Sequence, residues 1–416
     1  MPPSAPVSEP ERQLPLDALR GFALLGILMM NIRIFSMPFA AYFNPTAYGS
    51  LDGANYWVWF LSHVFFDQKF MTIFSMLFGA GIVLMTGRAE ARGDRPAVRH
   101  YRRMFWLLVF GLIHAYGLWY GDILVLYALC GLWVFLLRSR SPRTLLIVGA
   151  LVLVVGSLLS IGGYFGIQQL PPGEVAEIER HMVRPVPEDL AREIANYRSG
   201  WWGQMPDRVT RSLEFQLQVS VLWGLWRAGG LMLIGMALFK QGVFTGRASQ
   251  RLYVVFVAGG ALIGLPLILW GMRTTQLRGW DSLEAFFIEG QWNYWGSLFL
   301  SLGYVGLVML VATRGIFNRL IARLAAVGRM ALTNYLLHTI ICTTVFYGHG
   351  LGYFGSFSRT DQALLVIGVW VLQLVVSPIW LRHFAFGPFE WVWRALTYGH
   401  APPFRRATTQ AASGVA

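Results

Sequence analysis

The sequence predicts an all-α polytopic membrane protein, a transmembrane helix bundle of about ten spans with both termini in the cytoplasm. Three observations predict it. Hydrophobic residues make up 55% of the 416, and charged residues only 13%, too little polar surface for a soluble chain of this length. Segment 144–167, TLLIVGALVLVVGSLLSIGGYFGI, is long enough to cross a bilayer and carries no charge, since a span needs roughly 20 apolar residues. Arginines recur in every second connection between apolar runs, as the positive-inside rule requires.

The apolar runs fall at approximately 16–37, 69–87, 101–120, 122–138, 144–167, 216–240, 251–272, 292–313, 330–348 and 362–382 by the hydropathy criterion. The first keeps Asp17 and Arg20 at its start and lacks a small-residue cleavage site, so it reads as a retained helix and not a signal peptide. A shorter apolar segment, 54–66, reads as a re-entrant or interfacial helix leading into the second span. Arg88, Arg92, Arg95, Arg99, Arg102 and Arg103 follow that second span; Arg138, Arg140 and Arg143 follow the fourth. Lys240, Arg247 and Arg251 follow the sixth, and Arg314, Arg319, Arg323 and Arg329 the eighth. These connections belong to the cytoplasm, and 168–215 then lies outside as one or two short capping helices. The domain layout is a disordered tail over 1–14, one helical domain over 15–398 containing the outer region 168–215, and a second disordered tail over 399–416.

The net charge of +13 is explained by this topology and not by nucleic acid. The two cysteines, Cys130 and Cys342, sit in separate apolar runs and read as packing residues. No His, Asp and Glu cluster has metal-ligand spacing, so no metal is expected. Walker and dinucleotide-binding glycine patterns are absent, and no internal repeat is visible.

Ionisable groups inside spans carry the functional signal, because they are costly there and usually face a bundle interior or a wet cavity. Span 1 places Asp17, Arg20 and Asn31 on one helical face; each reads equally as bundle-holding or cavity-lining. In GLIHAYGLWYGDIL (111–124), His114 lies past the bilayer midplane and Asp122 opens span 4. Asp122 reads as a helix N-cap or as the acid that orients His114 for general-base work. Gly117 and Gly121 would let spans 3 and 4 approach closely. Asn334 and His338 share a face of span 9. Asp67, Gln68 and Lys69 precede span 2 at the outer edge, as the rim of a cavity or a solvated span end. The run 382–399 reads as an interfacial helix anchored by Trp391 and Trp393, with Glu390 and Arg394 spaced to pair.

Taken together, LDALRGFALLGILMMNI (16–32), KFMTIFSMLFGAGI (69–82), GLIHAYGLWYGDILVLYAL (111–129), GLMLIGMAL (230–238), GRMALTNYLL (328–337) and FGPFEWVWRALT (386–397) resemble the YeiB family of bacterial inner-membrane proteins. The opening D-x-x-R-G and following asparagine also resemble the transmembrane acyltransferase superfamily, the group of the lysosomal heparan glucosaminide acetyltransferase. That resemblance implies transfer of an acyl group from cytoplasmic acyl-CoA, acetyl-CoA for example, to an acceptor hydroxyl or amine across the membrane. Asp17, Arg20 and Asn31 match its first-span motif. Its catalytic histidine has no matching motif here. His114, in the YeiB family's own His…Gly-Asp motif, is the candidate, with Asp122 behind it. His63 holds the position between spans 1 and 2 where the heparan enzyme keeps its histidine, in different surroundings. The YeiB family usually has glutamine where His338 stands.

On this reading Arg20, Arg102, Arg103 or Arg329 hold the phosphates of the donor, and Asn31 or Asn334 donates to the developing oxyanion. Lys69 and His338 complete the set of candidate binding residues. Expected partners are membrane lipid, a small-molecule or glycan acceptor and a second copy of the chain, with no nucleic acid. The competing class is a transporter or exporter of a small molecule or lipid that uses the intramembrane His, Asp and Asn. A bundle whose polar groups only hold helices together is the third.

Overall fold

A computed structural model of the chain describes residues 13–406. Eighteen α-helices form among these residues: α1 (Leu14–Ser36), α2 (Ala40–Phe43), α3 (Ala54–Phe65), α4 (Lys69–Ala91), α5 (Pro96–Gly117), α6 (Leu124–Val134), α7 (Pro142–Ile167), α8 (Pro172–Met182), α9 (Pro187–Arg198), α10 (Met205–Glu214), α11 (Leu225–Lys240), α12 (Gln250–Gly259), α13 (Leu265–Arg278), α14 (Gly290–Thr313), α15 (Asn318–Arg329), α16 (Ala331–Phe346), α17 (Arg359–His383) and α18 (Pro388–Tyr398). The only extended pairing among them is an isolated bridge between Phe384 and Arg405. Local chemistry sets several starts. Ser141 accepts from the Thr144 amide with Pro142 at the first turn of α7, and Ser358 with Asp361 forms a capping box on α17.

Among the described residues, seven helical runs are long and apolar enough to cross a membrane, and an eighth if α15 and α16, bent by 80° at Met330, count as one. The two remaining runs of the ten expected are α5, which carries basic residues in its first half, and the short α6. α3 and α4 form one 38-residue stretch, broken where Gln68 takes a left-handed conformation (φ 67°).

Burial separates centre from periphery. The apolar window of α1 is 72% buried, that of α17 only 28%. α17 turns Leu364, Ile367 and Val371 outward, as α12 and α13 turn Val255 and Trp270, the surface a lipid phase covers. At the centre, helices meet backbone to backbone. A Cβ on Gly21 of α1 would strike the Leu324 carbonyl of α15, and one on Gly328 would strike the Asp17 carbonyl. Gly79 and Gly235 do the same for α4 and α11.

The region 168–215 forms three helices, α8, α9 and α10, which cap one end of the bundle. Asn44 donates to the Val183 carbonyl at 2.8 Å, the Phe39 amide to Glu193 at 3.1 Å, and Arg198 to the Phe354 carbonyl at 2.8 Å. At the opposite end the basic connections converge: Lys240 donates to the Arg140 carbonyl at 2.7 Å, and Arg138 approaches Glu90 at 3.5 Å. Residues 399–406, placed by composition in the C-terminal tail, fold back there, with Phe404 against Phe384, Trp380 and Trp391. The rest of both expected tails, 1–12 and 407–416, lies outside the described residues.

Candidate functional site

Two polar constellations stand apart in the bundle, and one large cavity leads toward the first. The hairpin of α5 and α6 brings His114 and Asp122 together. The imidazole Nδ1 lies 2.7 Å from Asp122 Oδ1. A carboxylate only accepts, so Nδ1 carries the proton and Nε2 presents its lone pair. That lone pair meets the Thr339 hydroxyl of α16 at 2.9 Å. Asp122 Oδ2 accepts the Val125 amide at 2.7 Å. Asp122 thus partners His114 with one oxygen and holds a first-turn amide of α6 with the other, from one position before the N-cap residue, Ile123. The close approach of the hairpin falls at Gly111, where a Cβ would meet the Val125 amide and Asp122. It does not fall at Gly117, which faces open space, or at Gly121, which faces Trp119 within its own turn.

The cavity, about 320 Å³, opens at the basic end. Seven of the described arginines line it: Arg20 from α1, Arg88 from the last turn of α4 and Arg92 just after it, Arg99 and Arg103 from α5, Arg329 from α15 and Arg394 from α18. Asp17 pairs with Arg20 at 2.8 Å, and Arg103 lies over the Trp393 ring at 4.5 Å. Further in, the walls are Leu24, Ile27, Phe74, Leu77, Ile123, Leu124 and Tyr335. From Arg88 to Phe74 along α4 is roughly 20 Å by helical rise.

The inner wall ends on Tyr335. Its ring lies 5.2 Å from that of His114, and its hydroxyl accepts the Ile123 amide at 3.3 Å. His114 itself is only 1% exposed and does not line the cavity. Of the two settings expected for an ionisable group inside a span, bundle interior or wet cavity, His114 occupies the first, and one aromatic side chain stands between it and the cavity.

The other expected residues divide cleanly. Asp17, Arg20, Arg103 and Arg329 line the cavity; Asn31, Lys69, Arg102, Asn334 and His338 do not. Arg102 is exposed beside Gly399. Asn334 donates to the Val327 carbonyl and to Ser377, at 3.2 and 3.1 Å, and His338 meets Gln373 at 2.9 Å, so both tie α16 to neighbouring helices. Lys69 is neither a cavity rim nor a solvated end. It is fully buried and donates to the His63 carbonyl and to Asn293, both at 2.7 Å. Beside it Asp67 binds Arg33 and His63, the latter at 3.2 Å. Buried Arg227 donates to Ser297 at 2.7 Å.

Sequence reasoning missed Thr339 and Tyr335, and it named Glu390 only as a partner for Arg394, not as a helix cap. No local signal marks the first two, whose partners lie more than 200 positions away. Glu390 accepts from the Leu332 and Thr333 amides at 2.6 and 3.0 Å and from the Thr333 hydroxyl at 2.5 Å, capping α16 from α18. Burial pushes its carboxyl above the usual carboxylate range, against these hydrogen bonds.

A family model described as "Protein of unknown function (DUF418)" matches residues 238–400. The Escherichia coli (strain K12) protein YeiB is 35% identical over 405 residues, 94% of this chain and 98% of its own. The chain belongs to the YeiB family. YxaH of Bacillus subtilis (strain 168) is 30% identical over 411 residues, covering 94% of this chain and 96% of its own. The YeiB-like stretches singled out in the sequence build the site: 16–32 supplies Asp17 and Arg20, 111–129 the His114–Asp122 pair, 328–337 Arg329 and Tyr335, and 386–397 the Glu390 cap.

Proposed function

We propose that this YeiB-family chain is a bacterial inner-membrane acyltransferase that takes an acyl group from cytoplasmic acyl-CoA and delivers it to an acceptor hydroxyl or amine from the other face. The observation that carries this reading is the cavity, whose arginine-rich mouth narrows to apolar walls and stops one ring short of the His114–Asp122 pair. The mouth suits the phosphates of the donor, since arginine binds phosphate through paired N–H groups. The apolar walls suit an extended thioester arm.

In this scheme Tyr335 swings aside and the acceptor takes the position of the Thr339 hydroxyl. Nε2 of His114 removes the acceptor's proton, and Asp122 stabilises the imidazolium. The acceptor oxygen or nitrogen bonds to the thioester carbonyl carbon. The tetrahedral intermediate then expels the CoA thiolate, which takes the proton back from His114. In its displaced position Tyr335 turns its hydroxyl proton, not used in accepting the Ile123 amide, to the oxyanion, and so replaces Asn31 and Asn334 as donor there.

Acetyl-CoA added to the purified protein is expected to raise its unfolding midpoint, and an acceptor extract to release free CoA thiol. His114→Ala is expected to keep the binding and abolish the release. Full release in a folded His114→Ala protein would exclude the scheme. The second reading, export of an anionic small molecule or lipid, is favoured by Arg33, Lys69 and Arg227, buried deep in the bundle with Asp67. Accumulation of such a solute in vesicles without CoA would decide for it.

A further inference from the structure

We infer that a chamber at the capped end of the bundle, enclosed by α1, α3 and α17, binds a single monovalent anion of halide size. The chamber measures about 10 Å³ and is lined by Arg33, Ser62, Arg359 and Gln362 among apolar side chains of the same three helices. The four polar side chains are each at least nine-tenths buried. A volume of that order holds one small sphere and no polyatomic ligand.

Donors outnumber acceptors around it. Arg33 Nε, Arg359 Nε and Gln362 Nε2 are buried N–H groups with no hydrogen-bond partner. Unpaired buried donors are costly, and the three residues that carry these all line one chamber, which calls for an acceptor. The Ser62 hydroxyl commits its proton to the Trp59 carbonyl at 2.8 Å. A water accepts two donors but must place two protons of its own; an anion accepts all three and has none to place.

Charge points the same way. Arg33 is matched by Asp67, which also receives His63. Among the described residues Arg359 meets neutral carbonyls, of Ser50, Pro45 and Tyr48, at 2.6, 2.7 and 3.1 Å, and no carboxylate. Its charge stays uncompensated inside the protein, where a lone charge is expensive. Arg359 and Gln362 also belong to the first turns of α17, whose dipole favours an anion. The carboxylate at that helix end, Asp361, is exposed and accepts from the Ser358 amide and hydroxyl.

The test compares unfolding midpoints of the full-length protein in detergent with sodium chloride, bromide or gluconate at equal ionic strength. Chloride and bromide are expected to raise the midpoint by roughly 2 °C over gluconate and to saturate. Gln362→Leu is expected to melt near wild type in gluconate and to lose the halide increment; Arg359→Gln, if it folds, loses it too. Equal midpoints in the three salts overturn the proposal, and so does a halide increment that survives in both variants. Should neither variant fold, bromide anomalous density between Arg33 and Arg359 in the wild-type protein supports the site, and its absence there overturns it.

Discussion

A histidine surrounded by apolar side chains needs only one hydrogen bond to be tolerated, and His114 has two, from opposite nitrogens to groups of opposite character. That asymmetry distinguishes it from His338, whose ring meets the neutral amide of Gln373. It also makes Asp122 testable without emptying the site. Asp122→Asn keeps the volume and an oxygen for the Val125 amide, but it turns its NH2 to His114, so Nδ1 must accept, the ring proton moves to Nε2, and no lone pair is left to act as base. Acyl transfer, followed by CoA thiol release, is expected to fall by about 10²–10⁴-fold, with acyl-CoA binding retained; an unchanged rate would show that the pair serves only to hold α5 against α6. At this scale the sequence disclosed what lies close in the chain. His114 and Asp122 are eight positions apart across a glycine-rich hairpin, so their pairing was readable. Thr339 and Tyr335 come from the other end of the chain, and an apolar helix gives no sign of which hydroxyl will meet a distant imidazole. Periodicity put Asn334 and His338 on one face correctly, but it cannot say which neighbour that face meets, and the neighbour is α17.

Elements fail to follow the sequence where an apolar run is taken as a full crossing. α6 has 11 residues, three more in a tight terminal turn, and by helical rise reaches roughly 20 Å against a hydrocarbon core of about 30 Å. The run at 318–346 is apolar enough for one span but bends at Met330. Its second half starts on the carboxylate of Glu390, a cap supplied from 58 residues downstream. Glu390→Ala is expected to destabilise the protein by about 1–2 kcal/mol, read as a lower unfolding midpoint, because it uncaps α16. Glycine is the other element-scale signal, and spacing alone misassigned it. Gly117 was the expected contact, yet a side chain there meets nothing, whereas Gly328 lies against the α1 backbone. Gly117→Ala is therefore expected to leave the midpoint within about 1 °C. Gly328→Val is expected to cost on the order of 3 kcal/mol by driving α15 off α1. Comparable melting of the two variants would mean that α1 and α15 do not pack through their backbones.

Across the whole molecule the positive charge that looked like a topology marker also builds the cavity. Two of the four basic connections that predicted one face of the membrane, those after the second and eighth apolar runs, contribute to it, and arginines from α1, the end of α4 with the connection after it, α5, α15 and α18 line a single mouth. Net charge and the positive-inside rule account for the end of the bundle at which they gather; they do not account for five chain segments turning arginine toward one opening whose deeper walls are apolar. That polarity along the cavity axis is what an amphipathic, anionic donor requires, and it separates two kinds of loss. If the arginines hold the nucleotide end of acyl-CoA, Arg103→Gln and Arg329→Gln should each weaken its binding about tenfold or more, the value of a charged hydrogen bond, and rising salt should weaken it further. Acetyl-pantetheine, which lacks the nucleotide, should bind these variants and the wild-type protein alike, because it contacts only the apolar walls. Titration of both compounds against each variant reads the difference directly. Equal losses for the two would mean that the arginines shape the cavity without touching the donor, and tenfold-weaker acyl-CoA alone would fix the orientation in which the thioester points toward Tyr335.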